Sequence, residues 1–278
     1  MLIDLIGNTP LVEVSPGIWA KLETFNPTGS IKDRVISYIF RNALATEELK
    51  EGMTVVEATS GNTGIALSAI CSSLNFSCKI IMPSNMSEER RAMMRFFGSE
   101  IIEVEPHDFK GAIALRNKMV AAGAWSPMQF ENQMNIECHR KTTAREILDQ
   151  ATNGISAFIS GAGTGGTLMG VAKHFKSVGC NAKIVFMRPE EKKHGIQGVG
   201  DGADYLLDKD LIDEVITVKT ITAKEKMVNL SRSLGIPVGI SSAANVIAAE
   251  RYKDAFSPKQ DIVTILCDRG ERYMGSII

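Results

Sequence analysis

The stretch Thr54-Val-Val-Glu-Ala-Thr-Ser-Gly-Asn-Thr-Gly64 runs from a β-branched segment through small hydroxyl and amide residues straight into an apolar helical pattern over residues 63–74. A strand that ends in a Gly-containing turn and feeds a helix at once is a βα unit. The same grammar recurs along the chain. Short β-branched runs at 79–83, 100–105, 157–161, 183–187, 214–218 and 262–267 alternate with helical patterns at 31–45, 87–97, 110–122, 136–150, 167–178, 223–234 and 242–252. The fold class is therefore α/β. Ser87 followed by Glu88 and Glu89, and the capping box Thr222-Ala-Lys-Glu225, are read as helix starts.

At 278 residues the chain can form two layered lobes, or one large domain with a smaller one inserted. No internal repeat, low-complexity tract or Pro/Gly/Ser-rich linker separates two independent domains, so two lobes would be interwoven. With 31 basic and 32 acidic side chains the formal charge is -1, which gives no electrostatic footprint for nucleic acid or an anionic membrane. A small-molecule partner is favoured. The start, Met1-Leu-Ile-Asp-Leu-Ile-Gly-Asn-Thr-Pro10, lacks the basic and apolar regions of a signal peptide. No run of about 18 apolar residues suggests a membrane span, and a cytoplasmic location is expected. The five scattered cysteines form no C-x-x-C pair and read as buried reduced thiols, and the four histidines, His107, His139, His174 and His194, show no metal-binding spacing.

Three segments carry chemistry. In Asn26-Pro-Thr-Gly-Ser-Ile-Lys-Asp-Arg34 a turn hands into a helix and leaves Lys32 in its first turn. The positive end of a helix dipole disfavours an ammonium there and favours a nucleophilic amine able to form an imine; a solvated surface lysine is the plain alternative. In the opening stretch, backbone N–H groups at the helix start, with the hydroxyls of Thr59, Ser60 and Thr63, suit an amino-acid carboxylate, while Asn62 could reach a cofactor hydroxyl. An ordinary Asn-Thr-Gly turn would look the same. Ser160-Gly-Ala-Gly-Thr-Gly-Gly-Thr167 is a second anion loop, with four glycines in six residues and hydroxyls at Thr164 and Thr167. Gly161, Gly163 and Gly166 also satisfy G-x-G-x-x-G, but the next β-run, Lys183-Ile-Val-Phe-Met-Arg188, ends without the acid a dinucleotide ribose needs. A single phosphate suits the loop better. No P-loop or G-x-S-x-G sequence is present. Two anion sites and an activated lysine together are what a pyridoxal 5′-phosphate (PLP) enzyme requires.

These segments resemble the cysteine synthase (O-acetylserine sulfhydrylase) family of fold type II PLP enzymes, from Ile6-Gly-Asn-Thr-Pro-Leu11 to Gly270-Glu-Arg-Tyr273. The resemblance implies two interwoven three-layer α/β/α lobes, tryptophan synthase β-like, with a larger PLP-anchoring lobe from residues 1–35 and 127–278 and a smaller mobile, substrate-binding lobe from 36–126. It implies that Lys32 binds PLP and acts as base, that Asn62 contacts the cofactor 3′-oxygen, that Gly163, Thr164, Gly165, Gly166 and Thr167 hold its phosphate, and that Ser241 pairs with its pyridine nitrogen. For Ser241 a helix N-cap is the competing role. Thr59, Ser60, Thr63 and Gln129 match positions that grip the α-carboxylate, and no metal is implied. The implied reaction is β-replacement: an activated serine such as O-acetyl-L-serine, plus sulfide or another sulfur donor, gives L-cysteine, in a homodimer. A cystathionine β-synthase-like enzyme with another nucleophile, or a non-catalytic binding protein on the same fold, shares most of these features. The chain departs from the family pattern in the compressed stretch Arg188-Pro-Glu-Glu-Lys-Lys-His-Gly-Ile-Gln-Gly198, in Thr142-Thr-Ala-Arg145 and in Ser241-Ser-Ala243. Cys267-Asp-Arg-Gly-Glu-Arg272 resembles the B-type isozyme, whereas Gly163-Thr-Gly-Gly-Thr167 is nearer the A-type.

Overall fold

The computed structural model describes residues 2–200 and 206–276. In chain order its elements begin β1 (Leu11–Ser15), β2 (Ile18–Leu22), α1 (Lys32–Ala45), β3 (Thr54–Ala58), α2 (Asn62–Ser73), β4 (Ser77–Pro83), α3 (Glu88–Phe96), β5 (Glu100–Val104) and α4 (Phe109–Ala121). They continue α5 (Met134–Lys141), α6 (Thr143–Gln150), β6 (Ile155–Gly161), α7 (Gly166–Ser177), β7 (Lys183–Pro189), β8 (Glu214–Val218), α8 (Thr220–Leu234), α9 (Ile240–Phe256) and β9 (Asp261–Leu266). Two compact units result. One gathers the residues up to Ile6 with Asn26–Asn132; the other gathers Gly7–Phe25 with the described residues from Gln133 onward.

The first unit is built on three parallel strands in the order β3-β4-β5, with Glu57 of β3 level with Ile80 of β4. Val55, Val56, Ile80, Ile81 and Met82 have no exposed surface. Such a parallel sheet, buried on both faces, must be covered by crossover helices, and α2 and α4 both pack on β3 and β4. Phe40 of α1 meets Phe76 and Trp125 edge-to-face, with centroids 5.2 and 5.4 Å apart, and this closes the aromatic end of the unit.

The second unit holds a six-stranded sheet in the order β1-β2-β9-β6-β7-β8. Only β1 and β2 are antiparallel; Ile18 stands opposite Ile262, and Phe158 opposite Val263, in parallel register. Its core joins Ile159, Val185 and Met187 of the sheet to Ala243, Ala244, Ile247 and Ala248 of α9. The α/β class read from the sequence is the class observed. The division of lobes expected at 35/36 and 126/127 differs from these compact units, because residues 26–35 and 127–132 gather with the three-stranded sheet.

Local expectations need four corrections. The helix expected over 136–150 is two helices, broken at Thr142, whose φ is -119° and whose hydroxyl donates to Cys138 O at 2.7 Å. A hydroxyl that bonds back into its own turn weakens the helix it ends. The capping box at Thr222 is not used: α8 begins at Thr220, whose N–H is taken at 3.0 Å by the Glu191 carboxylate from outside the helix. Ser87 precedes α3 but donates to Glu89 at 2.5 Å and caps no backbone group. Ser241 is not an N-cap, since α9 begins at Ile240 with Gly239 in the capping position. The β1–β2 hairpin lacks a clear strand signal in the sequence, because Pro10, Pro16 and Gly17 punctuate it and Lys21 interrupts its apolar pattern. That lysine is wholly buried, paired to Glu146 at 2.7 Å and bonded to Gln150 at 3.0 Å.

Candidate active site

In the first unit the Asn26–Arg34 segment is held by local polar bonds. Gly29 N–H closes a turn on Asn26 O at 2.7 Å, and the Asp33 carboxylate receives the Thr28 N–H at 2.7 Å and the Thr28 hydroxyl. This scaffold delivers Lys32 as the first residue of α1, half-buried, with no side-chain cap at the helix start. Arg34 and Asp33 beside it are buried.

The same unit presents the opening stretch at the end of β3. Thr59 N–H donates to Ile81 O at 3.0 Å, and α2 then starts at Asn62 with Gly61 as its cap, no capping side chain and no acidic residue in its first turn. A helix start without its own cap leaves N–H groups disposed toward an external anion. Thr59, Ser60, Gly61 and Asn62 are half-buried, whereas Thr63 is buried and donates from Oγ1 to Gln129 Oε1 at 2.7 Å. Gln129, distant in sequence, is thus brought against the loop. A Cβ on Gly64 would stand 2.6 Å from Met94 Cε, so this small residue lets α3 approach the loop. Since α1 and α2 pack together, Lys32 and the 59–63 loop occupy the starts of adjacent helices.

Glu57, just before this loop, is 1% exposed, yet it is a carboxylate. Its Oε1 accepts from the Ala58 N–H at 2.9 Å and from Arg116 Nη1 at 3.2 Å. Burial pushes the Glu57 carboxyl above its ordinary range, and Arg116 with the Ala58 and Gln129 N–H groups pulls it only partly back.

In the second unit the Gly163–Thr167 loop joins β6 to α7. Gly165 is left-handed with φ 92°, a conformation that costs other residues strain, and it caps α7 with no side-chain hydrogen bond. A Cβ on Gly163 would lie 2.5 Å from Gly198 O, and one on Gly166 would lie 1.9 Å from Asn135 Oδ1. Asn135 Nδ2 donates to Thr164 Oγ1 at 3.0 Å, and that oxygen also accepts the Gly166 N–H at 3.2 Å. The fully buried ring of His139 joins Thr143 Oγ1 at 2.9 Å to Thr167 Oγ1 at 3.2 Å. Ser241 lies close by, for a Cβ on Gly198 would be 3.5 Å from its Oγ. The compressed stretch ending at Gly198 therefore borders both Gly163 and Ser241. A glycine cradle with hydroxyls at both ends and a helix N-terminus behind it fits a phosphate monoester, and a serine hydroxyl beside it fits a neutral ring-nitrogen partner. Among the described residues, no group of three or more His, Cys, Asp or Glu side chains is gathered for a metal ion.

The family model for pyridoxal-phosphate dependent enzymes matches residues 2–268. The chain belongs to this family. Cysteine synthase B of Campylobacter jejuni is 39% identical over 98% of the chain and 96% of its own length. The crystal structure of a cysteine synthase from Entamoeba histolytica superposes with a TM-score of 0.94 at 34% identity, covering 99% of this chain and 89% of that one. A hydrogen sulfide-producing enzyme from Fusobacterium nucleatum gives 0.92 at 35% identity, with 99% of both chains covered. The resemblance to cysteine synthases drawn from the motifs is borne out, as is the fold type II α/β class that it implied. No helix among the described residues is long and apolar enough to cross a membrane.

Glu57, Arg116, Asn135, His139 and Asn245 are partners of the expected residues that the sequence motifs do not mark. Glu57 alone left a signal, a carboxylate inside an otherwise buried β-branched run. Asn135 and His139 reach Thr164 and Thr167 from a helix nearly 30 positions earlier, |i−j| being 29 and 28, a proximity that only the fold reveals.

Proposed function

We propose that the chain is a PLP-dependent cysteine synthase, replacing the β-substituent of O-acetyl-L-serine or a related activated serine with sulfide or another sulfur donor. The observation that carries this reading is the placement, in one unit, of Lys32 and the hydroxyl-rich 59–63 loop at the starts of two packed helices. Membership of the family and its cysteine synthase relatives supports it. In the proposed site Gly163, Thr164, Gly165, Gly166 and Thr167 hold the cofactor phosphate, Ser241 faces the ring nitrogen and Asn62 the 3′-oxygen. Thr59, Ser60, Thr63 and Gln129 bind the substrate carboxylate. Bound PLP supplies an aldehyde that captures an amine and a ring that takes up the electrons released at the α-carbon. Lys32 anchors through its Nζ and, once released, takes the substrate α-proton at the same atom. A neutral hydroxyl at Ser241 restrains charge withdrawal into the ring and so favours departure of the β-substituent. We assign residues 36–126 the mobile, substrate-gripping role, and place the enzyme in the cytoplasm as a homodimer.

The test is an absorbance titration of the purified protein with PLP, then O-acetylserine, then sulfide. The expected result is a visible cofactor band that shifts with O-acetylserine and returns with sulfide, and that Lys32→Ala abolishes or alters. Absence of any PLP band in the parent protein would overturn the assignment. A second reading, sulfide release by the same β-carbon chemistry run toward elimination, comes from the hydrogen sulfide-producing activity of the Fusobacterium enzyme, 35% identical with 99% of both chains covered. Sulfide evolved from L-cysteine at a rate above that of synthesis would select it. A cystathionine β-synthase-like preference would appear as faster turnover with homocysteine than with sulfide.

A further inference from the structure

Helix α4 buries only two residues, Ala112 and Arg116. An arginine in that position is costly to desolvate, and its surroundings state what holds it there. Arg116 Nη1 lies 3.2 Å from Glu57 Oε1 on β3, and Nη2 lies 3.5 Å from Glu131 Oε1. Nε and Nη2 both donate to Asn117 Oδ1, at 3.0 and 2.8 Å, which fixes the plane of the guanidinium. The Glu57 carboxylate also takes the Ala58 N–H through Oε1, while its Oε2 is buried without a hydrogen-bond partner among the described residues.

One cation therefore ties the end of β3 to helix α4, and through a longer ion pair to the exposed Glu131 it reaches the turn that carries Gln129. That turn is tight: Glu131 and Asn132 N–H groups both donate to Met128 O, at 2.9 and 3.0 Å, and Met128 itself adopts φ 45°. A non-glycine residue held in the left-handed region persists only where its surroundings over-determine it. A buried ion pair adds little net stability over a well-packed apolar pair. What it supplies is direction, because a planar guanidinium satisfied on both edges fixes the relative positions of its partners.

We propose that Arg116, through Glu57 and Glu131, is a positioning residue for amino-acid substrate: it locks the 128–131 turn so that Gln129 meets Thr63 at the carboxylate loop. The proposal rests on the reading of Thr59–Thr63 and Gln129 as the carboxylate site.

The test compares the parent with the neutral double variant Glu57→Leu/Arg116→Met, which leaves no uncompensated buried charge, and with Arg116→Lys and Glu131→Ala, each PLP-free for hydrogen exchange and PLP-loaded for kinetics. Amide hydrogen exchange over residues 126–132, measured without cofactor or substrate, is expected to accelerate roughly tenfold or more in the double variant relative to exchange in the β4 core. The dissociation constant for L-cysteine and the KM for O-acetylserine are expected to rise roughly tenfold, with kcat within about twofold and PLP uptake unchanged. Arg116→Lys, a point charge unable to bridge both partners, should fall between, and Glu131→Ala should show a weaker form of the same split. Unchanged exchange over 126–132 overturns the positioning role whatever the enzyme's activity. An equal fall in kcat and PLP uptake with no change in KM overturns it too, as would a unit that loosens everywhere alike. A parent protein that takes up no PLP while its variant still loosens 126–132 sinks the functional reading and leaves the geometric one standing.

Discussion

Asn245 on α9 accepts the Gly161 N–H at 2.7 Å through Oδ1 and donates to Ile265 O at 3.0 Å through Nδ2, so one side chain joins the entry of the glycine loop to β9. Both partners are buried or partly so, and removal of the amide leaves a donor and an acceptor unmet. Asn245→Leu should therefore destabilise the protein by about 1–3 kcal/mol in chemical denaturation and weaken PLP binding. Asn245→Asp keeps the acceptor for Gly161 but sets a buried carboxylate against Ile265 O and beside the phosphate loop, so its loss of PLP affinity should be the larger of the two.

Gly163 faces a backbone carbonyl rather than a flexible side chain. Because a methyl group there would lie 2.5 Å from Gly198 O, Gly163→Ala must displace one of two backbone segments. A loss of PLP affinity of at least roughly tenfold is expected from equilibrium titration, with the melting transition still cooperative. Parent-like affinity in this variant would mean that the loop does not hold the phosphate.

Thr63 and Gln129 meet through a single 2.7 Å hydrogen bond. Thr63→Val keeps the shape and removes the donor, whereas Thr63→Ser keeps it. Steady-state kinetics should show KM for O-acetylserine raised roughly tenfold in the valine variant and near the parent value in the serine variant. Identical KM values in the two would remove this hydroxyl from the carboxylate site.

Asp213 clamps β7 to the segment before β8. Burial works to raise its carboxyl, but the Ile184 N–H at 2.8 Å and Lys183 Nζ at 2.8 Å outweigh burial and hold it below the ordinary aspartate range. A depressed folded value means that the unfolded chain takes up the proton first on acidification. The contribution of Asp213 is thus complete above the unfolded value, about 3.9, and is lost as pH falls through the folded one. Thermal scans between neutral and acid pH should find Asp213→Asn less stable than the parent at pH 7, and the gap closing below about pH 4. A gap that widened on acidification would reverse the assigned sign.

How legible all this was depends on the reach of each interaction. The 214–218 strand is observed as Glu214–Val218, and the 63–74 helix starts one residue earlier at Asn62, since periodicity and the turn before it are local properties. The three loops proposed to carry chemistry could be located for the same reason: each packs its donors into at most nine consecutive residues. The break at Thr142 was not, because a threonine inside a helical pattern becomes a terminus only when its hydroxyl turns back on Cys138. Nor was Lys21, whose burial depends on Glu146 and Gln150, more than a hundred positions away. Arg116 reads as one polar residue on a surface helix until β3 supplies Glu57, 59 positions earlier.

The pairing of β2 with β9 also sets the order in which the molecule can assemble on the ribosome. Ile18 emerges early and must wait for Ile262 before its strand is flanked on both sides, while β3, β4 and β5 are complete by Val104. The three-stranded sheet can therefore condense during synthesis, and the six-stranded sheet is sealed late by insertion of its central strand, a non-local step that is intrinsically slow. In that interval the nascent chain carries two open strand edges, at β2 and β6, which are the surfaces a chaperone would have to shield.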